Sequence, residues 1–289
     1  MLGVKVLVTG ANGQVGTELQ LAFPEANAST ELVCVDLPAV DIGDRDQVRA
    51  LVAATAPDLI VNAAAYTAVD AAESDPDTAW RSNALAVRHL VEAADAAGAH
   101  LVHISTDYVF DGSKDSPYLE WDPPNPASVY GASKLGGEIE ALRGNSVTVA
   151  RTSWVCSRHG GNMVKTILRV AAEHPELSFV DDQVGHPTFA DDLARMLVRL
   201  GTERRPGLFH VTNAGAVSWY GFAREVLIAA GDDPDRVRPI ATAELQPPRP
   251  APRPANSVLD NAALRLSGVE PLEDFREPLA RAVVALTSS

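Results

Sequence analysis

The 289 residues suffice for one large domain or for a domain with a smaller lobe, and 46% hydrophobic against 21% charged residues is a globular balance. A formal net charge of −14 speaks against nucleic acid or an anionic membrane as partner, and the two distant cysteines, Cys34 and Cys156, speak against a disulfide framework or a zinc site. No apolar run is long enough to cross a bilayer and no basic-then-apolar leader opens the chain, so a cytoplasmic location is expected.

Residues 4–8 form an apolar run that turns through Gly10-Ala11-Asn12-Gly13-Gln14-Val15-Gly16 into an amphipathic segment carrying Leu19, Leu21 and Phe23. Strand, glycine turn and helix in that order set backbone N–H groups and a positive helix end where a pyrophosphate could sit. Gly10 permits the turn, Gly13 a close ligand approach and Gly16 close packing of helix on strand. The spacing is GxxGxxG rather than GxGxxG, so a purely structural tight turn is the competing reading. Residues 31–35 read as a second strand, with Cys34 expected to be a buried thiol. Asp36 at its end suits either a ribose diol or a strand-ending cap, and Leu37 offers no cation for a 2′-phosphate, a lean toward NAD.

Asp41-Ile42 precedes a helix expected over residues 46–54, and residues 58–62 read as a third strand running into Ala63-Ala64-Ala65. Small residues there fit cofactor phosphates or ordinary close packing. A long helix entered at Ser74, Asp75 and Pro76 is expected to bury Trp80, Ala84, Val87, Val91 and Ala94 and to end at Gly98. Residues 101–105 read as a fourth strand and 147–151 as a fifth. Short apolar strands alternating with helices imply an α/β, Rossmann-type doubly wound parallel sheet.

The fourth strand leads into Ser105-Thr106-Asp107-Tyr108-Val109-Phe110-Asp111-Gly112, and Ser128 can cap a helix containing Tyr130-Gly131-Ala132-Ser133-Lys134. Tyrosine and lysine four apart share a helix face, so the ammonium is expected to lower the phenol's pKa toward useful acid–base chemistry. A solvated surface pair has the same spacing. Thr106, at a strand's carboxyl end, can reach the same reacting oxygen, and the three side chains together read as a catalytic triad.

With Asn62-Ala63-Ala64-Ala65-Tyr66-Thr67-Ala68-Val69-Asp70, Arg151-Thr152-Ser153-Trp154, Asp182-Gln183-Val184-Gly185-His186-Pro187-Thr188 and Arg253-Pro254-Ala255-Asn256-Ser257, these motifs run over nearly the whole chain. The sequence resembles the extended short-chain dehydrogenase/reductases, and within them the reductases of dTDP-linked 4-keto sugars. That resemblance implies NADPH- or NADH-dependent reduction at C4 of dTDP-4-dehydro-L-rhamnose to dTDP-L-rhamnose. It implies Thr106, Tyr130 and Lys134 as catalytic residues. Gly10, Asn12, Gly13, Gln14, Val15, Gly16, Asp36, Asp41, Ile42, Ala63, Ala64, Ala65, Tyr130 and Lys134 become candidates for the cofactor, and Thr106, Asp107, Tyr108, Tyr130, Trp154 and Arg253 for the nucleotide sugar. Another nucleotide-sugar reductase or epimerase, and a non-catalytic regulatory subunit like that of methionine adenosyltransferase, are the alternatives.

Residues 1–154 are expected to form the dinucleotide domain, with about 181–212 returning to it and 155–289 mainly a substrate lobe. Trp154 reads as an apolar platform for a deoxysugar or as a core tryptophan. Relatives usually continue with Tyr-Gly and Asn-Phe where this chain has Cys156-Ser157 and Asn162-Met163. Arg158, His159, Lys165 and Arg169 are local cations in an acidic protein that read as plain surface charge or as groups facing a pyrophosphate, and His186 and His210, which lack ligand spacing, read as structural or as modest substrate contacts. Leu193, Met196, Leu197 and Leu200 predict one core helix face, and Trp219, Phe222, Val226 and Ala230 another. Residues 246–254 hold five prolines, and Arg253 just within that run could clamp phosphates bidentately. Some relatives hold magnesium at a dimer contact. Glu18 and Asp191 stand in comparable places here, a homodimer is allowed, and no metal is expected.

Overall fold

Val6 and Val8 pack into one buried cluster and Leu7 into another, and this period-two alternation sets the layers of the molecule. In the computed structural model, which describes residues 4–287, β1 (Lys5–Thr9), β2 (Glu31–Val35), β3 (Leu59–Asn62), β4 (His100–Thr106) and β5 (Val147–Thr152) join a late strand, β10 (Gly207–His210). They form one sheet in the order β10-β5-β4-β3-β1-β2, parallel throughout. Against the face of Val6 and Val8 lie α1 (Gln14–Ala26), α8 (Ala190–Thr202) and α10 (Ala262–Leu266). Against the face of Leu7, Ile60, Leu101 and Val149 lie α2 (Arg45–Thr55), α5 (Ala86–Ala97) and α6 (Val129–Ala141). This is the α/β doubly wound sheet that the strand–helix alternation implies.

The ends are set by local chemistry. Asp44 accepts from the N–H groups of Asp46 and Gln47 at the start of α2, and Ser128 accepts from Gly131 N–H at the start of α6. Gly98 closes α5 in the left-handed region, at φ 70°.

Between Pro76 and Gly98 the expected single helix is broken into α4 (Pro76–Trp80), a π-helical turn (Arg81–Leu85) and α5, with the short α3 (Val69–Ala72) ahead of them. The wider turn adds a residue to the repeat and shifts its phase. Ala84, Val87, Val91 and Ala94 are buried as expected, but Trp80 rotates out and is 44% exposed. Cys34 corrects a second expectation. Its strand is the sheet edge, and the thiol is exposed rather than buried.

Three two-stranded pieces complete the chain: β6 (Val155–Cys156) with β9 (Thr188–Phe189), β7 (Leu177–Val180) with β12 (Val237–Ile240), and β8 (Val184–Gly185) with β11 (Val217–Ser218). Around them α7 (Met163–Glu173), α9 (Trp219–Ala229) and α11 (Arg276–Thr287) share a separate core of Ile167, Phe189, Phe222, Val226, Phe275 and Leu279. Ala230, expected on that core face, lies past the end of α9 and is exposed.

Candidate active site

The strand order reverses between β1 and β3, and the crevice that opens beyond their carboxyl ends is where open α/β sheets hold ligands. Gly10 leaves β1 at φ 72°, and a Cβ there would stand 2.4 Å from the Ala64 backbone nitrogen. At Gly16 a Cβ would stand 2.1 Å from the Gly10 carbonyl oxygen. Both neighbours are backbone, so neither can step aside. Gly16→Ala is expected to cost about 1–3 kcal/mol and to weaken nicotinamide-dinucleotide binding, read by urea denaturation and coenzyme fluorescence titration.

Two cavities, about 590 Å³ and 420 Å³, meet over Gly13, Ala63, Ala64 and Ala65 and make one trough across the sheet ends. Asn12, Gln14 and Val15 line the larger, and Gly13 caps α1 with no side-chain hydrogen bond, leaving first-turn N–H donors for a ligand. Asn62 fixes the alanine turn by accepting from Thr9 Oγ1 (2.8 Å) and Ala64 N–H (3.2 Å). The smaller cavity is lined by Asp36, Asp41 and Ile42. Asp36 accepts from the N–H groups of Asn12 and Leu37, both at 2.8 Å, and a carboxylate has further lone pairs for ribose hydroxyls. The trough therefore fits a dinucleotide, and the α1 N-terminus offers donors suited to a pyrophosphate. Sequence reasoning missed Arg81 there. It lines the same cavity and pairs with Asp41 at 2.6 Å, so the cavity beside Asp36 does hold a cation, and the lean toward NAD drawn from Leu37 loses its basis.

At the other end of the trough the larger cavity is lined by Thr106, Asp107, Tyr108, Tyr130 and Lys134. Asn83 builds this corner. It bonds Tyr66 N–H (2.8 Å), the Tyr66 carbonyl and Ser133 Oγ (3.0 Å each), while Ser133 Oγ donates to the Tyr130 carbonyl (2.8 Å). The structure brings Tyr130 and Lys134 together with Thr106, but their electrostatics differ from expectation. Lys134 Nζ donates to the Ile104 carbonyl at 2.6 Å. Burial pushes the Tyr130 phenol up to about 12, against a hydrogen bond with Thr106, and pushes the Lys134 ammonium down to about 8. Desolvation dominates, the Asp107 carboxyl adds to it, and the phenol keeps its proton. Asp107, which accepts from Thr106 Oγ1 at 2.9 Å, is pushed up to about 6 by burial.

On the substrate side, Trp154 stands at φ 44°, rare for a bulky residue. One face stacks on Trp219, centroids 3.5 Å apart and planes 8° apart, and Gly185 presses on its ring, where a Cβ would come within 2.7 Å. Trp219 thus takes one face of the ring, and Trp154 still lines the cavity. Trp219, expected only as a core residue, lines the cavity too. Arg253 lies outside the cavity lining, 6.0 Å from the Tyr108 ring centroid, and pairs with Asp70 at 2.8 Å. Arg158 and His159 turn to the buried Glu18, Lys165 Nζ donates to the Gly160 carbonyl and Arg169 pairs with Glu173, so none of the four faces the trough. His186 bonds Thr212 and His210 lies beside Arg151, both packed as neutral imidazoles with pKa values lowered mainly by burial.

Residues 4–288 match the family model described as the RmlD substrate binding domain. A dTDP-4-dehydrorhamnose reductase of Burkholderia thailandensis is 43% identical, covering 99% of this chain and 100% of its own. The chain belongs to the dTDP-4-dehydrorhamnose reductase family. A probable dTDP-4,6-dihydroxy-2-methyloxan-3-one 4-ketoreductase of Streptomyces antibioticus is 41% identical over 96% of this chain and 93% of its own. The crystal structure of the Bacillus anthracis dTDP-4-dehydrorhamnose reductase in complex with NADP superposes with a TM-score of 0.93, at 37% identity over 98% of this chain and 99% of that one. The fold of this reductase family is thus the fold of the present chain, with the trough at its switch point.

Proposed function

We propose that this chain reduces the C4 ketone of dTDP-4-dehydro-L-rhamnose to dTDP-L-rhamnose, the last step in making that sugar donor, with NADPH or NADH as reductant. The observation that carries the reading is a buried, protonated Tyr130 phenol beside Thr106, in the same trough as the uncapped N-terminus of α1. A bound nicotinamide supplies hydride to C4. Tyr130 gives its proton to the carbonyl oxygen as charge develops there. Thr106 orients that oxygen, and Lys134 holds the nicotinamide ribose and restores charge balance beside the phenol. Asn12, Gly13, Gln14 and Val15 bind the pyrophosphate, Asp36 with Asp41 and Ile42 the adenosine, and Ala63, Ala64 and Ala65 the floor beneath it. Asp107, Tyr108, Trp154 and Arg253 face the nucleotide sugar.

The same reading makes residues 1–154 with about 181–212 the dinucleotide domain and 155–289 mainly the substrate lobe. It puts the enzyme in the cytoplasm, needs neither nucleic acid nor membrane, binds no metal and allows a homodimer.

The test follows nicotinamide absorbance with freshly generated dTDP-4-dehydrorhamnose and identifies the sugar formed. Stoichiometric coenzyme oxidation with dTDP-L-rhamnose as product supports the reading. Conversion without net oxidation points to an epimerase, and no turnover with either coenzyme points to a binding subunit.

The rate should also report Lys134. Tyr130 holds its proton up to about 12, whereas Lys134 loses its charge as pH rises through about 8. The expected kcat profile therefore falls on the alkaline side from about pH 8. A profile flat to pH 10 contradicts the role of the ammonium. Stability moves the other way, because the unfolded lysine binds the extra proton between about 8 and its usual 10.5, so this group's contribution rises with pH across that window.

A further inference from the structure

Asp70, in α3 on the nucleotide-binding side, has no part in the reaction above, yet it reaches across to the proline-rich run of residues 246–254. Its carboxylate accepts from Arg253 Nη2 at 2.8 Å, from the Ala251 backbone N–H at 3.2 Å and, more distantly, from Arg249 Nη1 at 3.5 Å. Just after this stretch the chain is well fastened. Ala255 accepts from Val184 N–H at 2.8 Å, and Asn256 Nδ2 donates to the Lys114 carbonyl at 2.7 Å. Residues 246–253 are different. Among the described residues, no hydrogen bond or ion pair other than those of Asp70 reaches them from outside the run.

Arg253 is held on two sides, Nη2 on Asp70 and Nη1 on the Ala251 carbonyl (2.8 Å), with the guanidinium beside the Tyr108 ring that lines the cavity. A guanidinium has five N–H donors, so three stay free for phosphate oxygens. Two arginines against one carboxylate leave the cluster positive, which suits a diphosphate.

We propose that Asp70 is a positioning residue for nucleotide-sugar binding, pinning the run and presenting Arg253 to the diphosphate before substrate arrives. The inference rests on the reading of Arg253 as the phosphate clamp. An arginine on an untethered segment must lose backbone and rotamer freedom at the moment of binding, and a fixed one has lost it already.

The experiment is a double-mutant cycle of Asp70→Ala and Arg253→Ala with Asp70→Asn beside it, reading KM and kcat for dTDP-4-dehydrorhamnose and the NADPH dissociation constant. Asp70→Ala is expected to raise the sugar KM about tenfold, with a much smaller change in kcat and NADPH affinity within about twofold. Asp70→Asn, whose amide oxygen still accepts from Ala251 N–H, recovers part of the loss. In the Arg253→Ala background Asp70→Ala adds nothing. Equal KM increases in both backgrounds, or a lowered KM, overturn the inference and leave the clamp standing. An unchanged KM in Arg253→Ala alone overturns the clamp and this inference together.

Discussion

Tyr130→Phe is expected to bind NADPH as tightly as the parent and to lose a factor of about 10²–10⁴ in kcat for reduction of dTDP-4-dehydrorhamnose. The substitution removes one hydroxyl and leaves the ring, which packs edge-on against Tyr108 with centroids 5.4 Å apart, so the corner of the trough keeps its shape. What disappears is the proton that burial holds on the phenol up to about pH 12. Without that donor the developing alkoxide has Thr106 alone, whose hydroxyl already donates to Asp107 at 2.9 Å. Single-turnover absorbance with saturating NADPH measures the step itself, and a rate within a few-fold of the parent removes Tyr130 from the chemistry.

Arg151→Ala should have the largest effect on stability, about 3–5 kcal/mol in urea denaturation. Arg151 and Glu138 form a two-pronged pair, Nε to Oε1 at 2.8 Å and Nη2 to Oε2 at 2.7 Å, with side chains only 4% and 2% exposed. Ser105 Oγ donates to the same carboxylate at 2.5 Å. Removing the guanidinium strands a buried negative charge. Replacing both partners, Glu138→Leu with Arg151→Met, removes the charge as well and is expected to recover most of the loss. The pair matters to the site because it ties α6, one turn beyond Lys134, to β5 and to the residue before Thr106. A double variant as unstable as Arg151→Ala would show that packing around the pair, rather than its charge, sets the cost.

The parts legible in the sequence are those governed by local rules. The strand at residues 31–35, the glycine turn and the caps at Ser128 and Gly98 follow from apolar runs and from backbone needs confined to a few neighbours. The parts that were not legible depend on distant packing. Trp80 turns outward because one π-helical turn shifts the phase of an otherwise regular stripe, and no residue type announces that turn. Cys34 is exposed because β2 is the last strand of its sheet, a fact of topology. Arg81 reaches the cavity beside Asp36 by pairing with a carboxylate 40 residues earlier, and Trp219 reaches Trp154 from another element. The expected lowering of the Tyr130 pKa followed from helical spacing, but spacing carries no information on burial, and burial dominates at this position. A protonated phenol is nevertheless the form that reduction needs.

The most direct measurement is the distance from Tyr130 Oη to the sugar O4 in a crystal of the complex with NADP and dTDP-L-rhamnose. The account predicts about 2.6–3.2 Å, with Thr106 Oγ1 in reach of the same oxygen and C4 facing the nicotinamide. A phenol turned from O4, with another acidic group at that distance in its place, would contradict it.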